Sequence, residues 1–401
     1  MSTCFSLKMM KKYFIFILIV LCSLLNAKAG GVSMSFSITD DQKTGASDMS
    51  LRGMQMWYAP LLGSNDKKVH HIKRLRAELD SLKAVGVNTI SILAGVDFVP
   101  SPTDSAHLTN GMLVGCCKEE RILKGLDCVL GELSKRQMKA IVTIVRQWDD
   151  ASQTDQAIED FAQCLALRVN PATKQRLLSD PTIRFWQVSD APYVKDQAAL
   201  QPYMDWAAKQ TKMMKRIGFT QPISIAYKPL SPQAEANEQP IEDILSRECF
   251  DAVALSFDPM SMGWLTVGEL NNGLGRIYVR FTDILQMVMR MAQAYDKPFF
   301  LTDCAYPRTA MFTRPGTNTE SRDNFFSFLQ NTYSDLTEGN LRTPFLGMIF
   351  KGWGGNARPS TDLWTNPYDF TAEYPDETKG RYSIFTNDST TIELLRNTWA
   401  K

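Results

Sequence analysis

The chain predicts an α/β fold, a closed (β/α)8 TIM barrel, on three observations. Eight apolar runs of strand length begin at Leu51, Asn88, Lys139, Ile183, Pro222, Phe250, Pro298 and Pro344. The segments between them repeat apolar residues with a 3.6-residue period, so strands alternate with helices as in a parallel sheet covered by helices. Eight such units favour closure into a barrel over an open doubly wound sheet. No G-x-G-x-x-G or P-loop string follows any of the runs, so the usual sequence sign of a nucleotide-binding sheet is missing.

In order along the chain, the strand at Leu51 leads into helical periodicity over His70–Val85, and the strand at Asn88 into Glu120–Arg136. Runs at Lys139 and Ile183 precede a helix over Leu200–Ile217. Runs at Pro222 and Phe250 precede Tyr278–Tyr295, the run at Pro298 precedes Ser321–Leu336, and the run at Pro344 is the eighth strand. Thr390–Trp399 is the last helix. Each helical stretch carries an apolar stripe that needs a sheet to cover it.

The N-terminus reads as a targeting segment. Lys11 and Lys12 precede an apolar run from Tyr13 to Leu25, and Ala27-Lys28-Ala29 supplies an A-x-A cleavage signal. The run is short for a membrane span. Cleavage after Ala29 is expected, which makes 1–29 a signal peptide, 30–50 a polar flexible leader, and 51–401 the barrel domain. Lipid anchoring at Cys22 is disfavoured by the bulky Leu21 before it. The expected location is therefore periplasmic, cell-surface or secreted.

The removed segment takes four lysines with it and no acid, so the 44 basic residues of the full chain become 40 against 43 acidic ones. Nothing in that balance steers the protein toward nucleic acid or an anionic membrane. With 44% hydrophobic residues the chain can bury a large core. Six cysteines follow the signal: Cys116, Cys117, Cys128, Cys164, Cys249 and Cys304. Their spacing matches no zinc pattern, and they are expected to be mostly buried free thiols, although an exported chain could pair some. Only His70, His71 and His107 are present, too few and too scattered for a histidine-rich metal centre. No metal or other cofactor is expected.

In a barrel of this class the chemistry sits where strands end and loops begin. That rule selects Trp57-Tyr58, Asp97, Trp148-Asp149-Asp150, Asp190-Ala191, Tyr227, Ser256 to Asp258, Asp303 to Tyr306, and Lys351 to Trp353. Flat aromatic rings stack on sugars and carboxylates accept from hydroxyls, so the mixture suits a carbohydrate groove. Trp57, Tyr58, Trp148, Asp258, Trp264, Tyr306, Lys351 and Trp353 are the candidate sugar contacts.

At these residues the chain resembles the bacterial endo-β-1,4-mannanases of glycoside hydrolase family five. The resemblance rests on Met56 to Ser64, Leu75 to Asp80, Asp180-Pro181-Thr182-Ile183 leading into Trp186-Gln187, and Gly352-Trp353-Gly354-Gly355-Asn356-Ala357-Arg358-Pro359. It implies a retaining glycosidase with one glutamate in an Asn-Glu-Pro string after the fourth strand as acid/base. A second glutamate, in a Glu-Phe-Gly string after the seventh, would be the nucleophile. Here Asp190-Ala191-Pro192 takes the first place and Asp303-Cys304-Ala305 the second. The acid/base position is therefore Ala191, and the nucleophile position, Asp303, is one methylene short. By the same carry-over the arginine of the second strand falls at Ser91, the histidine after the sixth at Ser256, and the tryptophan of the eighth at Lys351.

Retaining hydrolysis needs two carboxyls about 5–5.5 Å apart. Loss of general acid help forfeits roughly 10²–10⁴ in rate, and misplacement of a reacting group by about 1 Å can cost on the order of 10². Asp190 with Asp303 is a possible replacement pair for an inverting route. Lys351 either pairs with Asp303 inside the site or snorkels to solvent. The expectation is a barrel that binds a β-linked, mannan-type oligo- or polysaccharide without ordinary turnover. The alternatives are an active hydrolase using altered carboxylates and a structural or protein-interaction role.

Overall fold

The structure is a computed structural model that describes residues 50–64, 69–100, 111–148, 154–192, 197–229, 239–270, 272–308, 318–338, 343–359 and 370–400. The expected signal segment, all of the expected leader but Ser50, and Asp149, Asp150 and His107 lie outside the described residues.

Twelve strands are described: β1 (Leu51–Gln55), β2 (Thr89–Leu93), β3 (Asp97–Pro100), β4 (Gly111–Val114), β5 (Lys139–Val145), β6 (Ile183–Ser189), β7 (Ile223–Tyr227), β8 (Ala252–Ser256), β9 (Phe299–Cys304), β10 (Phe345–Phe350), β11 (Trp353–Gly355) and β12 (Ile384–Phe385). Eight of them close a parallel barrel in the order β1-β10-β9-β8-β7-β6-β5-β2. The barrel is sealed where Leu51 pairs with Gly347 and Phe350 with Met54. This is the expected (β/α)8 barrel, and every barrel strand begins within two residues of its expected start. The antiparallel hairpin of β3 and β4 in the second loop was not foreseen.

The helices are α1 (Ala59–Gly63), α2 (Val69–Ala84), α3 (Glu120–Lys135), α4 (Asp155–Leu167), α5 (Gln197–Ile217), α6 (Gln239–Leu245), α7 (Leu274–Ala294), α8 (Glu320–Thr337) and α9 (Ser389–Trp399). In α3 the buried Ile122, Leu123, Leu126, Val129, Leu130 and Leu133 recur on one face, the stripe that docks a helix on a sheet. Thr154 caps α4 by accepting from Ala157 N at 3.2 Å, which satisfies one of the amides left open at a helix start.

Side-chain alternation along the strands separates two cores. Ile90, Ile92, Val142 and Ile144 face the helices. Leu51, Ile141, Phe185, Ala226, Ala252, Ala254, Phe300 and Ile349 fill the barrel interior, with Phe185 and Phe300 meeting at 5.3 Å between ring centroids. The seam between β1 and β10 demands glycine. Gly347 has φ +126, and a Cβ there would stand 2.2 Å from the carbonyl oxygen of Leu51.

The chain after β10 returns across the barrel end as an arm, residues 370–388. A buried ionic cluster fixes its far end: Asp388 accepts from Arg308 at 2.5 and 2.6 Å and from Arg322 at 3.1 Å. Glu373, also buried, fixes the near end by accepting from Gly380 N at 2.8 Å, Tyr382 N at 2.6 Å and Ser383 N at 2.8 Å. Among the described cysteines only Cys304 is fully buried, while the other five are half-buried. The expectation of mostly buried thiols is corrected to that extent. Cys128 and Cys164 lie on α3 and α4, while Cys116, Cys117 and Cys249 lie in connecting segments, which run nearer the surface than the strands they join.

Candidate functional site

The barrel mouth is built from strand ends, and the register decides who meets whom. Phe350 pairs with Cys304, and Ser256 with Thr302, so Ser256, Asp303 and Lys351 share one rim. Asp303 sits at φ +46, a left-handed conformation that is uncommon for a residue with a Cβ and is tolerated best by Asn and Asp. Its Oδ1 accepts from Gln55 Nε2 at 3.3 Å and its Oδ2 from Ser256 Oγ at 3.3 Å. Burial raises the Asp303 carboxyl above the ordinary aspartate range, against the opposing charges of Lys351 and Lys228.

Asp190 follows β6, with its amide donating to Val145 O at 3.2 Å. Its Oδ2 accepts from the hydroxyl of Tyr374. Gln55 Nε2 lies 3.4 Å from that same hydroxyl. The two carboxylates are thus linked through one phenol and one amide, in the order Asp303, Gln55, Tyr374, Asp190. Burial, and then the charge of Asp303, push Asp190 up to about 7, although Tyr374, Arg146 and Lys351 pull it back. Burial and the charge of Asp190 also hold the Tyr374 phenol well above its usual range. Tyr374 therefore keeps its proton. Ala191 is half-buried and packs against the barrel-interior cluster.

Lys351 takes neither of the two expected roles. Its ammonium is buried and pairs with Glu377 Oε1 at 2.5 Å, with the Tyr382 ring 4.9 Å away. Burial pushes the lysine down, but the carboxylates of Glu377 and Asp258 outweigh it and hold its pKa above the ordinary lysine range. Asp303 contributes only a longer-range attraction. The arm places the Glu377 carboxylate against Lys351.

The expected aromatic lining is largely covered. Trp57 is 1% exposed, and its indole N–H lies 3.1 Å from Thr371 O and 3.2 Å from Glu373 O of the arm. Tyr58 is enclosed, its hydroxyl 2.9 Å from Trp353 O and 3.2 Å from Glu78 Oε2. Trp353 is fully buried, Trp264 packs edge-on against Phe257, and the Tyr306 hydroxyl donates to Leu270 O. Asp258 is buried and caps a turn, accepting from Met260 N at 3.1 Å and Ser261 N at 3.3 Å. These rings and this carboxylate serve packing, because the arm and the loops close over the strand ends. Trp148 stays half-buried, 5.7 Å from Tyr203 and 6.5 Å from Trp206. Of the rings proposed as sugar contacts, it is the one with accessible surface.

Four participants were not anticipated: Gln55, Arg146, Tyr374 and Glu377. The Arg146 guanidinium lies 4.2 Å from the Tyr374 ring centre and donates to Asp376 at 2.5 and 2.7 Å. The only sequence signal was a compact Tyr-Pro-Asp-Glu string, and nothing local ties it to strands about 200 residues away.

Among the described residues, one group has metal-ligand chemistry: Asp97, Cys117 and Glu119. Arg121 stands 2.5 Å from Asp97 and 3.8 Å from Glu119, and burial raises the Cys117 thiol. The arginine already supplies the positive charge there, so the set fits a cation poorly.

The closed parallel barrel, with Asp190 and Asp303 at its C-terminal rim, belongs to the (β/α)8 class of folds. A family profile described as GH family 5 beta-mannosidase-like matches residues 39–162 and 149–401, and the chain belongs to that family. Among solved structures, a glycoside hydrolase family 5 mannosidase from Rhizomucor miehei, a mutant in complex with mannosyl-fructose, is similar with a TM-score of 0.71 and 18% identity, over 88% of this chain and 92% of that one. An endo-beta-1,4-mannanase from Thermotoga petrophila is similar with a TM-score of 0.60 and 15% identity, over 88% and 76%. At such identities the likeness speaks for the fold. Among curated proteins, none matches the chain.

Proposed function

We propose that this family member is an exported barrel that binds a β-linked, mannan-type oligo- or polysaccharide without ordinary hydrolytic turnover. One observation carries the reading: Ala191 stands beside Asp190 at the end of β6, in the place the family resemblance gives to the acid/base, and the two nearby carboxylates are engaged by the chain's own Tyr374, Gln55 and Ser256. A methyl group transfers no proton, and hydrolysis without a positioned acid forfeits roughly 10²–10⁴ in rate. The half-buried Trp148 offers a ring face for a sugar, and the mannosyl-fructose held by the Rhizomucor protein supports a mannosyl ligand. The signal-like N-terminus supports export, which mass analysis of the mature N-terminus tests by finding or missing cleavage after Ala29.

A second reading has its own support. A carboxyl pushed up to about 7 next to a second carboxyl is the arrangement that separates acid from base, so Asp190 and Asp303 could hydrolyse slowly as a pair. One preparation distinguishes the two. Calorimetric binding of mannohexaose or glucomannan with no release of reducing ends supports binding alone. Reducing ends that vanish in Asp303→Ala and Asp190→Ala proteins establish the second reading. Neither binding nor release across a glycan panel leaves a structural or protein-partner role.

A further inference from the structure

We propose that Tyr374-Pro375-Asp376-Glu377 is a built-in occupant of the barrel mouth, a strap whose displacement opens a site for a neutral mannosyl oligosaccharide. This inference rests on the sugar-binding reading above. Three of the four strap side chains each tie down a different strand end. Tyr374 donates to Asp190 after β6. Asp376 accepts from Arg146 after β5, and Glu377 accepts from Lys351 after β10. A carboxylate acceptor and two cationic donors are the groups that would otherwise face sugar hydroxyls.

The strap is a compact turn on a rigid base. Tyr374 N donates to Glu377 Oε2 at 2.8 Å, and Glu377 N donates to Tyr374 O at 2.9 Å. Its root is held by Glu373, which accepts three backbone amides and the Ser383 hydroxyl. The Asp376 side chain is 56% exposed, so the tie to Arg146 is the solvent-screened and weaker one. The Tyr374 ring is not offered as a stacking platform. Arg146 lies 4.2 Å from its centre, and Trp57 lies 5.3 Å away. The phenol is therefore an internal competitor for the mouth and not a contact for a sugar.

Two variants and one measurement on the unmodified chain test this. Tyr374→Ala removes the ring, and the double variant Asp376→Asn, Glu377→Gln keeps it while cutting both ionic ties. Calorimetry with mannohexaose should show binding about tenfold or more tighter in each, since the ligand no longer has to displace the strap's charge-assisted ties. In the unmodified protein, saturating mannohexaose should speed hydrogen exchange at the amides of Glu377 and its neighbours, because the ligand lifts the strap. Simple docking on top of the strap would slow it.

Unchanged or weaker binding in a variant with native near-ultraviolet dichroism overturns the inference, as does slower exchange. If the unmodified chain binds and neither variant binds more tightly, the strap fails and the binding reading stands. If only the variants bind, the strap stands and binding by the unmodified chain fails. If nothing binds, both fail.

Discussion

Replacing Asp190 by asparagine should abolish a loss of stability that the parent chain suffers as pH rises. The folded chain holds the Asp190 proton up to about 7, through burial first and the charge of Asp303 second. In the unfolded chain an aspartate titrates near ~3.9. Between those two values the folded state carries a proton that the unfolded state has lost. The associated stability is fully present below ~3.9 and drains away as pH rises toward 7, by about 1.4 kcal/mol per pH unit. From pH 5 to pH 7 the loss is on the order of 2–3 kcal/mol. Asp190→Asn keeps an oxygen that can accept from Tyr374, removes the Asp190 charge from beside Asp303, and has no such slope of its own. Urea unfolding of both proteins at pH 5, 6, 7 and 8 reads the difference, in which the histidines and unrelated carboxyls cancel. The variant should gain on the parent steadily from pH 5 to pH 7 and hold a constant lead above that. A stability difference that stays level across the series refutes the electrostatic account of the mouth.

Two further perturbations address the scaffold. Asp388→Ala strips both buried arginines, Arg308 and Arg322, of their carboxylate, and should cost about 3–5 kcal/mol, read as a lower urea midpoint at unchanged slope. Gly125→Ala would place a Cβ 2.1 Å from the Pro60 carbonyl oxygen, where α3 crosses α1. Because backbone and not a pliable side chain is in the way, it should lower stability by about 1–3 kcal/mol in the same assay.

What the sequence by itself determined is the barrel and the places where its strands end. The eight apolar runs and the helical stripes between them are local patterns, and local periodicity is legible without tertiary knowledge. Asp190, Ala191 and Asp303 were also within reach, since strand ends are marked by the patterns that mark strands, and the resemblance aligned them. What only the tertiary structure decided is the state of those residues. Trp57, Tyr58, Trp264, Tyr306 and Trp353 read the same in sequence whether they face a ligand or the core, and folding put them under the arm and loops. Lys351 found Glu377 in place of Asp303, and Asp190 found Tyr374 across 184 positions of chain. Contacts of that span depend on where a long loop returns, and no periodicity or spacing encodes the return. The physical reason is the range of the forces. Hydrophobic patterning acts along a few residues and can be read there, while the pairing of single charges and hydroxyls at a rim depends on distances that only the closed barrel and its anchored arm establish.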